Sequence, residues 1–92
     1  MRTITHIRLS DQDAETSEKI THVWLGWPHD RAESVAQVIR RMHFENEEYY
    51  YTSSPSGESD EVIYVKPEEG DSYIKTKGNE TKEDNLLNLP QF

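Results

Sequence analysis

Imidazole is the most versatile group in this chain, and two of its four histidines hold matching places in a repeated pattern. Ile4-Thr5-His6-Ile7-Arg8-Leu9 returns, lightly edited, as Ile20-Thr21-His22-Val23-Trp24-Leu25. In strand phase His6 and His22 share a face, so the first chemistry to weigh is metal ligation. Two imidazoles with no carboxylate of the same phase fall short of the usual ligand set of a catalytic zinc site. His29 belongs to a different loop. A pair of half-exposed strand histidines is the ordinary reading, and no metal site is expected.

A wider constellation gathers around that pair. His6, Arg8, His22, Trp24, Tyr64, Lys66, Tyr73 and Lys75 all fall on one sheet face if the aliphatic residues of their strands point the other way. Open sheets that hold nucleotides or short single strands use such side chains, rings stacking on bases and cations meeting phosphates. The structural alternative is a set of cross-strand aromatic and cation–π pairs. In that case an apolar tail carrying Leu86, Leu87, Leu89 and Phe92 lies across them. Catalysis finds less support. There is no Gly-rich phosphate loop, no nucleophile elbow and no HExxH pattern. With 18 carboxylates in the chain, chance pairs are guaranteed. The expectation is a non-enzymatic protein without a cofactor.

The elements that must position these groups follow from hydrophobic period. Thr3–Ser10 reads as a strand with Ile7 and Leu9 on one face and Ile4, His6 and Arg8 on the other. Residues 11–19 are polar and read as a mobile loop. A second strand, Ile20–Trp27, sends Val23 and Leu25 inward and His22 and Trp24 outward. Asp30 with Glu33 resembles a capping box, and Ala32, Val35, Ala36, Ile39 and Met42 form one helical face over 31–43. Tyr49–Thr52 has high β propensity, and Ser53–Gly57 is a turn. Glu61–Lys66 is a strand with Ile63 and Val65 inward. Ser72–Lys77 is the last strand, with Ile74 opposite Tyr73 and Lys75. A polar stretch, 78–84, precedes the apolar C-terminal tail, 85–92. Trp27-Pro28 is expected to anchor a turn by packing. Asp84-Asn85 is expected to cap the tail.

The order is therefore β-β-α-β-β-β, an α+β single domain over 1–92 with an antiparallel-rich sheet and one helix on one face. Only 33% of the 92 residues are hydrophobic, so the core must be thin. A net charge of −8 disfavours duplex DNA, whose binders neutralise phosphates with Lys and Arg, and equally disfavours anionic membranes. The absence of cysteine excludes disulfides and thiolate sites. No apolar leader or spanning run is present, so cytoplasmic residence is expected. Asn79-Glu80-Thr81 is read as a chance glycosylation match.

With the elements placed, the chain resembles a small bacterial and phage family catalogued as domain of unknown function 3892. The resemblance rests on Ile4–Leu9, on Ile20-Thr21-His22-Val23, on the Ser34-Val35 helix start, and on Val65 with Pro67. It continues through Tyr73-Ile74-Lys75-Thr76 and is carried most by Asp84-Asn85-Leu86-Leu87-Asn88-Leu89-Pro90. Two departures stand out. The stretch 77–83 is longer and more charged than the pattern, and the helix ends at His43-Phe44-Glu45-Asn46 rather than at glycine, which points Asn46 to the left-handed position. The resemblance implies a compact domain and supplies no catalytic residues. Two readings remain open at this level. One is association with another protein or another copy of the chain. The other is a nucleotide or short single strand held on the aromatic and basic face.

Overall fold

The computed structural model describes residues 2–11, 13–14, 16–53, 58–77 and 85–92. The strands are β1 (Arg2–Leu9), β2 (Ile20–Leu25), β3 (Arg31–Ser34), β4 (Tyr49–Ser53), β5 (Glu58–Val65) and β6 (Tyr73–Thr76). One helix, α1 (Val35–Glu45), separates β3 from β4, and short 3₁₀ turns occupy Ser17–Lys19 and Asn85–Asn88. The fold is α+β, as expected. It has one strand more than the sequence pattern suggested, because Arg31–Ser34 pairs with β2 instead of opening the helix.

The six strands run β3-β2-β1-β4-β5-β6. Two antiparallel meanders meet at the centre, where Arg2, Thr3 and Ile4 pair in parallel with Tyr49, Tyr50 and Tyr51. A parallel junction needs a crossover, and α1 supplies it by passing from the edge strand β3 over β2 and β1 to β4. That path covers one face of the sheet and leaves the other bare. The sheet curls around the helix, for α1 touches β2 and β3 at one end and β5 and β6 at the other, and β6 reaches the turn before β2.

Helix α1 starts at Ser34. The Ser34 hydroxyl accepts from the Gln37 backbone N–H at 3.2 Å, and the Gln37 side chain accepts from the Ser34 N–H at 3.0 Å. This is a reciprocal capping box, and it displaces the Asp30–Glu33 start expected from sequence. Asp30 instead takes a positive φ of 47° in the turn after β2. Asn46 ends the helix in the left-handed region, φ 53° and ψ 31°, as expected. The inward stripe is Val35 and Val38, with Ile39 and Met42 partly buried. Ala32 and Ala36 are exposed, contrary to the periodicity reading.

The core lies between α1 and the inner sheet face. Ile4, Ile7, Val23 and Leu25 are fully buried there with Tyr49, Ile74 and Leu86. Ile4 was expected outward with His6 and Arg8. A bulge reverses it: Ile4 pairs with Leu25 and His6 with Trp24, so Thr5 is an extra residue and the phase shifts by one. On β5 the expected phase is inverted. Val62 and Tyr64 stand directly opposite Thr76 and Ile74, both buried, while Ile63 and Val65 stand opposite Lys75 and Tyr73. Strand β2 ends at Leu25, and Trp27 is 90% exposed, so it anchors nothing. The loop read over 11–19 contains the 3₁₀ turn, whose Ser17 is buried. The turn expected at 53–57, the glycosylation match and Asp84 lie wholly or largely outside the described residues.

The tail splits. Leu86 and Leu89 enter the core, and the Leu89–Phe92 segment then runs along the part of β1 that β4 does not cover. Ile7 donates its N–H to the Pro90 carbonyl at 3.0 Å, and Phe92 donates to the Ile7 carbonyl at 3.1 Å.

Candidate functional site

Six of the eight residues expected on one face are found together on the bare outer side: His6, Arg8, His22, Trp24, Tyr73 and Lys75. Their positions follow from pairing, since directly opposed residues share a face. His6 opposes Trp24 and Arg8 opposes His22, on either side of the buried Ile7–Val23 pair. Tyr73 and Lys75 flank buried Ile74. Tyr64 and Lys66 are not there. Tyr64 turns to the helix side, where its hydroxyl lies 3.0 Å from His43 Nδ1, and Lys66 lines a groove with Tyr64 and Ile39. Val62-Ile63-Tyr64-Val65 is apolar in both phases, so alternation alone does not decide which side faces the core. Pairing with β4 and β6 does.

The twin Ile-Thr-His segments form twin bulges. Thr21 is the extra residue of β2, between the pairs Arg8–His22 and Leu9–Ile20, as Thr5 is that of β1. The Thr21 hydroxyl donates to the Arg8 carbonyl at 3.2 Å and lies 3.0 Å from His22 Nδ1. Because a hydroxyl has one proton, which the Arg8 carbonyl takes, His22 Nδ1 is assigned as the donor to the Thr21 oxygen. Thr5 repeats the arrangement with the Trp24 carbonyl at 3.5 Å and His6 Nδ1 at 2.9 Å. The repeat seen in sequence is thus a device that orients two imidazoles.

Phe92 occupies the middle of this half of the face. Its ring meets Trp24 edge-on at 5.7 Å, and the Arg8 guanidinium sits 4.5 Å from its centroid. Arg8 Nε also donates to the Phe92 carbonyl at 3.1 Å. Trp24 and Arg8 are therefore already engaged by the chain's own tail. The other half of the face carries Tyr50, Ile63, Val65, Tyr73 and Lys75, none of them covered by the helix. The Glu48 carboxylate, partial desolvation and Glu61 together hold the Tyr50 phenol above its ordinary pKa.

A second polar cluster lies on the helix side and was not anticipated. Glu33 points inward from edge strand β3 and is 3% exposed. Its Oε1 accepts from the Tyr49 hydroxyl at 2.7 Å. Its Oε2 faces Arg41 Nε at 3.2 Å, an Arg31 amino group at 3.3 Å and an Arg2 amino group at 3.7 Å. Arg2 and Arg41 turn also to Glu47 and Glu45, each at 3.6 Å. The two buried Nε atoms make charge contacts rather than aligned hydrogen bonds. These partners come from β1, β3, α1 and β4, so no local pattern announces them. Charge balance and saturation of the carboxylate mark it as a bolt between helix and sheet.

Burial raises the Tyr49 pKa above its ordinary range, and the Glu33 hydrogen bond and charge add to this. The folded protein keeps this proton where the unfolded chain loses it, near pH 10. Stability is therefore intact below that pH and falls above it, by up to about 1.4 kcal/mol per pH unit. Urea unfolding between about pH 9 and about pH 11.5 should show this decline, and Tyr49→Phe should flatten it. Equal alkaline slopes for the two proteins would refute the assignment to Tyr49.

A family model matches residues 3–90. The chain belongs to the family described as Protein of unknown function (DUF3892). The match spans both meanders, the helix and the tail leucines, and leaves out Arg2 and the last two residues of the tail, Phe92 among them. No curated protein and no solved structure matches this DUF3892 chain. Among the described residues, no group of three or more His, Cys, Asp or Glu side chains is placed to hold a metal ion. No helix among them is long and apolar enough to cross a membrane.

Proposed function

We propose that this DUF3892 protein is a non-catalytic accessory protein of the bacterial or phage cytoplasm that associates with a second copy of itself through the outer sheet face. The observation that carries this reading is the row Tyr50, Ile63, Val65 and Tyr73 on β4–β6, ring and aliphatic side chains that the helix leaves uncovered. Six strands about 4.8 Å apart and about 13–26 Å long give the face a footprint on the order of 500 Å². A standard complex buries about 800 Å² of accessible surface per partner, so a pairing through this face falls at the small end, where association is weak and reversible. The face is also self-complementary in charge. Lys75 shares it with Glu61, which already faces Lys77 at 3.4 Å, so a two-fold axis can set Lys75 of one copy beside that pair in the other. Two sheets packed face to face then form a sandwich of ordinary spacing.

The nucleotide reading is supported less. Of the rings and cations it relied on, Tyr64 and Lys66 lie on the opposite side, and Trp24 and Arg8 are taken by Phe92.

Sedimentation velocity over about 1–100 μM should show a monomer–dimer equilibrium, with Tyr73→Lys and Val65→Lys each weakening it at least about tenfold. Phe44→Ser, on the helix side and 73% exposed, should leave it unchanged. A monomer across the whole range ends the proposal. Loss of the dimer in Phe44→Ser but not in Tyr73→Lys assigns the interface to the other side.

A further inference from the structure

We infer that the free half of the β1 edge, with Trp24 and Arg8 beside it, is a strand-addition site for an extended, aromatic-bearing segment of a partner protein, and that the chain's own Pro90–Phe92 fills it in the partner's absence. Strand β1 runs from Arg2 to Leu9, yet β4 pairs only with Arg2, Thr3 and Ile4. Beyond Ile4 that edge is left to the tail. Ile7 donates to the Pro90 carbonyl at 3.0 Å and accepts from the Phe92 N–H at 3.1 Å, so Gln91 lies parallel to it. A residue that offers one donor and one acceptor along a sheet edge reads extended polypeptide backbone, which is the geometry of β-augmentation. A nucleotide or a lipid has no N–H and C=O at strand spacing to match it. The backbone groups thus select the class of ligand.

The side chains select its sequence. The Phe92 ring meets Trp24 edge-on at 5.7 Å and lies 4.5 Å from the Arg8 guanidinium, whose Nε donates to the Phe92 carbonyl at 3.1 Å. An aromatic ring on the residue after the one opposite Ile7 therefore has a prepared seat. His6 and His22 stand opposite Trp24 and Arg8, and Ala32 and Ser34 of β3 continue the same face. These outward residues include no carboxylate, so a neutral or acidic segment is favoured over a basic one. The present occupant is also separable from the core. Leu86 and Leu89 are buried, whereas Pro90 and Gln91 are exposed and Phe92 is half-buried. The last three residues can lift while both leucines stay in place. Their few contacts are opposed by the backbone freedom that three residues regain on release. A segment that repeats these contacts and pairs with more of β1 displaces them. The tail is a stand-in, and its ring shows what the site accepts.

The test titrates an acetylated peptide of residues 88–92 into the full chain and into its Phe92→Ala variant, whose ring seat is vacant, and follows amide shifts. In Phe92→Ala, saturable shifts at Ile7, Arg8 and Trp24 are expected, with a dissociation constant on the order of 500 μM. Wild type should bind at least about tenfold more weakly, because its tethered tail competes at high effective concentration. Replacing the peptide's aromatic residue by alanine should weaken binding at least about fivefold. So should methylating the nitrogen of that residue, which leaves the Ile7 carbonyl without its hydrogen bond. Trp24→Ala added to Phe92→Ala should have a similar effect, with far-UV circular dichroism staying native. Absence of saturable shifts in Phe92→Ala up to about 5 mM peptide overturns the inference. So does equal binding by wild type, or indifference to both changes in the peptide. Uptake of wild-type protein by Phe92→Ala more tightly than of the peptide assigns the site to the tail of a second copy and overturns the partner assignment. Tyr50, Ile63, Val65 and Tyr73 lie outside this site, so sedimentation and peptide titration fail independently.

Discussion

Glu33→Ala is expected to lower the unfolding free energy by about 3–5 kcal/mol, the usual cost of deleting one member of a buried ion cluster. The carboxylate is 3% exposed and receives the Tyr49 hydroxyl at 2.7 Å. Without it that hydroxyl is buried and unpaired, and Arg2 and Arg41, 13% and 29% exposed, lose the charge they converge on. The neighbouring Glu45 and Glu47 each face one of these arginines at 3.6 Å, whereas Glu33 alone gathers Arg2, Arg31 and Arg41 around one carboxylate oxygen. A domain of this size has a total stability of only about 5–14 kcal/mol, so the loss is a large share of the whole. Glu33→Gln should lie between the two, because the amide oxygen still accepts from Tyr49 while the charge is gone. Urea midpoints measure all three proteins. A Glu33→Ala shift below about 1 kcal/mol would mean that the cluster behaves as an exposed salt bridge.

Leu86→Ala is expected to cost about 2–5 kcal/mol, a full large-to-small core penalty, although the residue lies in the last seven of the chain. Leu86 is fully buried among β-strand and helix residues from both meanders. Phe92→Ala should cost much less. It removes an edge contact with Trp24 and a cation–π contact with Arg8, each worth about 0.5–1 kcal/mol at a half-exposed site. The contrast decides what holds the tail. If Phe92→Ala proves the more damaging in urea unfolding, the tail is fastened by its ring on the outer face and the leucines are passengers.

Some of this was legible in the residues. From His22 to Leu25 the alternation is strict, so Val23 and Leu25 inward, with His22 and Trp24 outward, could be read off directly. Asn46 could be placed as a left-handed cap because no glycine follows the helix. Other features depend on pairing that no local window contains. Ile4 turns inward only because Thr5 bulges, and a bulge is set by what the partner strand needs. Asp30–Glu33 and Ser34–Gln37 both satisfy a capping pattern. Docking of Arg31–Ser34 on the edge of β2 decides between them. The face of β5 was ambiguous because Val62, Ile63, Tyr64 and Val65 are all suited to burial. The Glu33 cluster was invisible for a similar reason, since its partners Arg2, Arg41 and Tyr49 lie far apart along the chain.

Ile7 hydrogen-bonds to Pro90 and Phe92, and the leucines between Asn85 and Pro90 complete the core that Ile7 begins. On a ribosome, the first strand is made early, and its open edge and apolar side stay uncovered until residues 86–92 follow it. Translation that halts before residue 86 would leave a polypeptide with nearly all its secondary structure encoded, yet with a gap where the two meanders should be sealed.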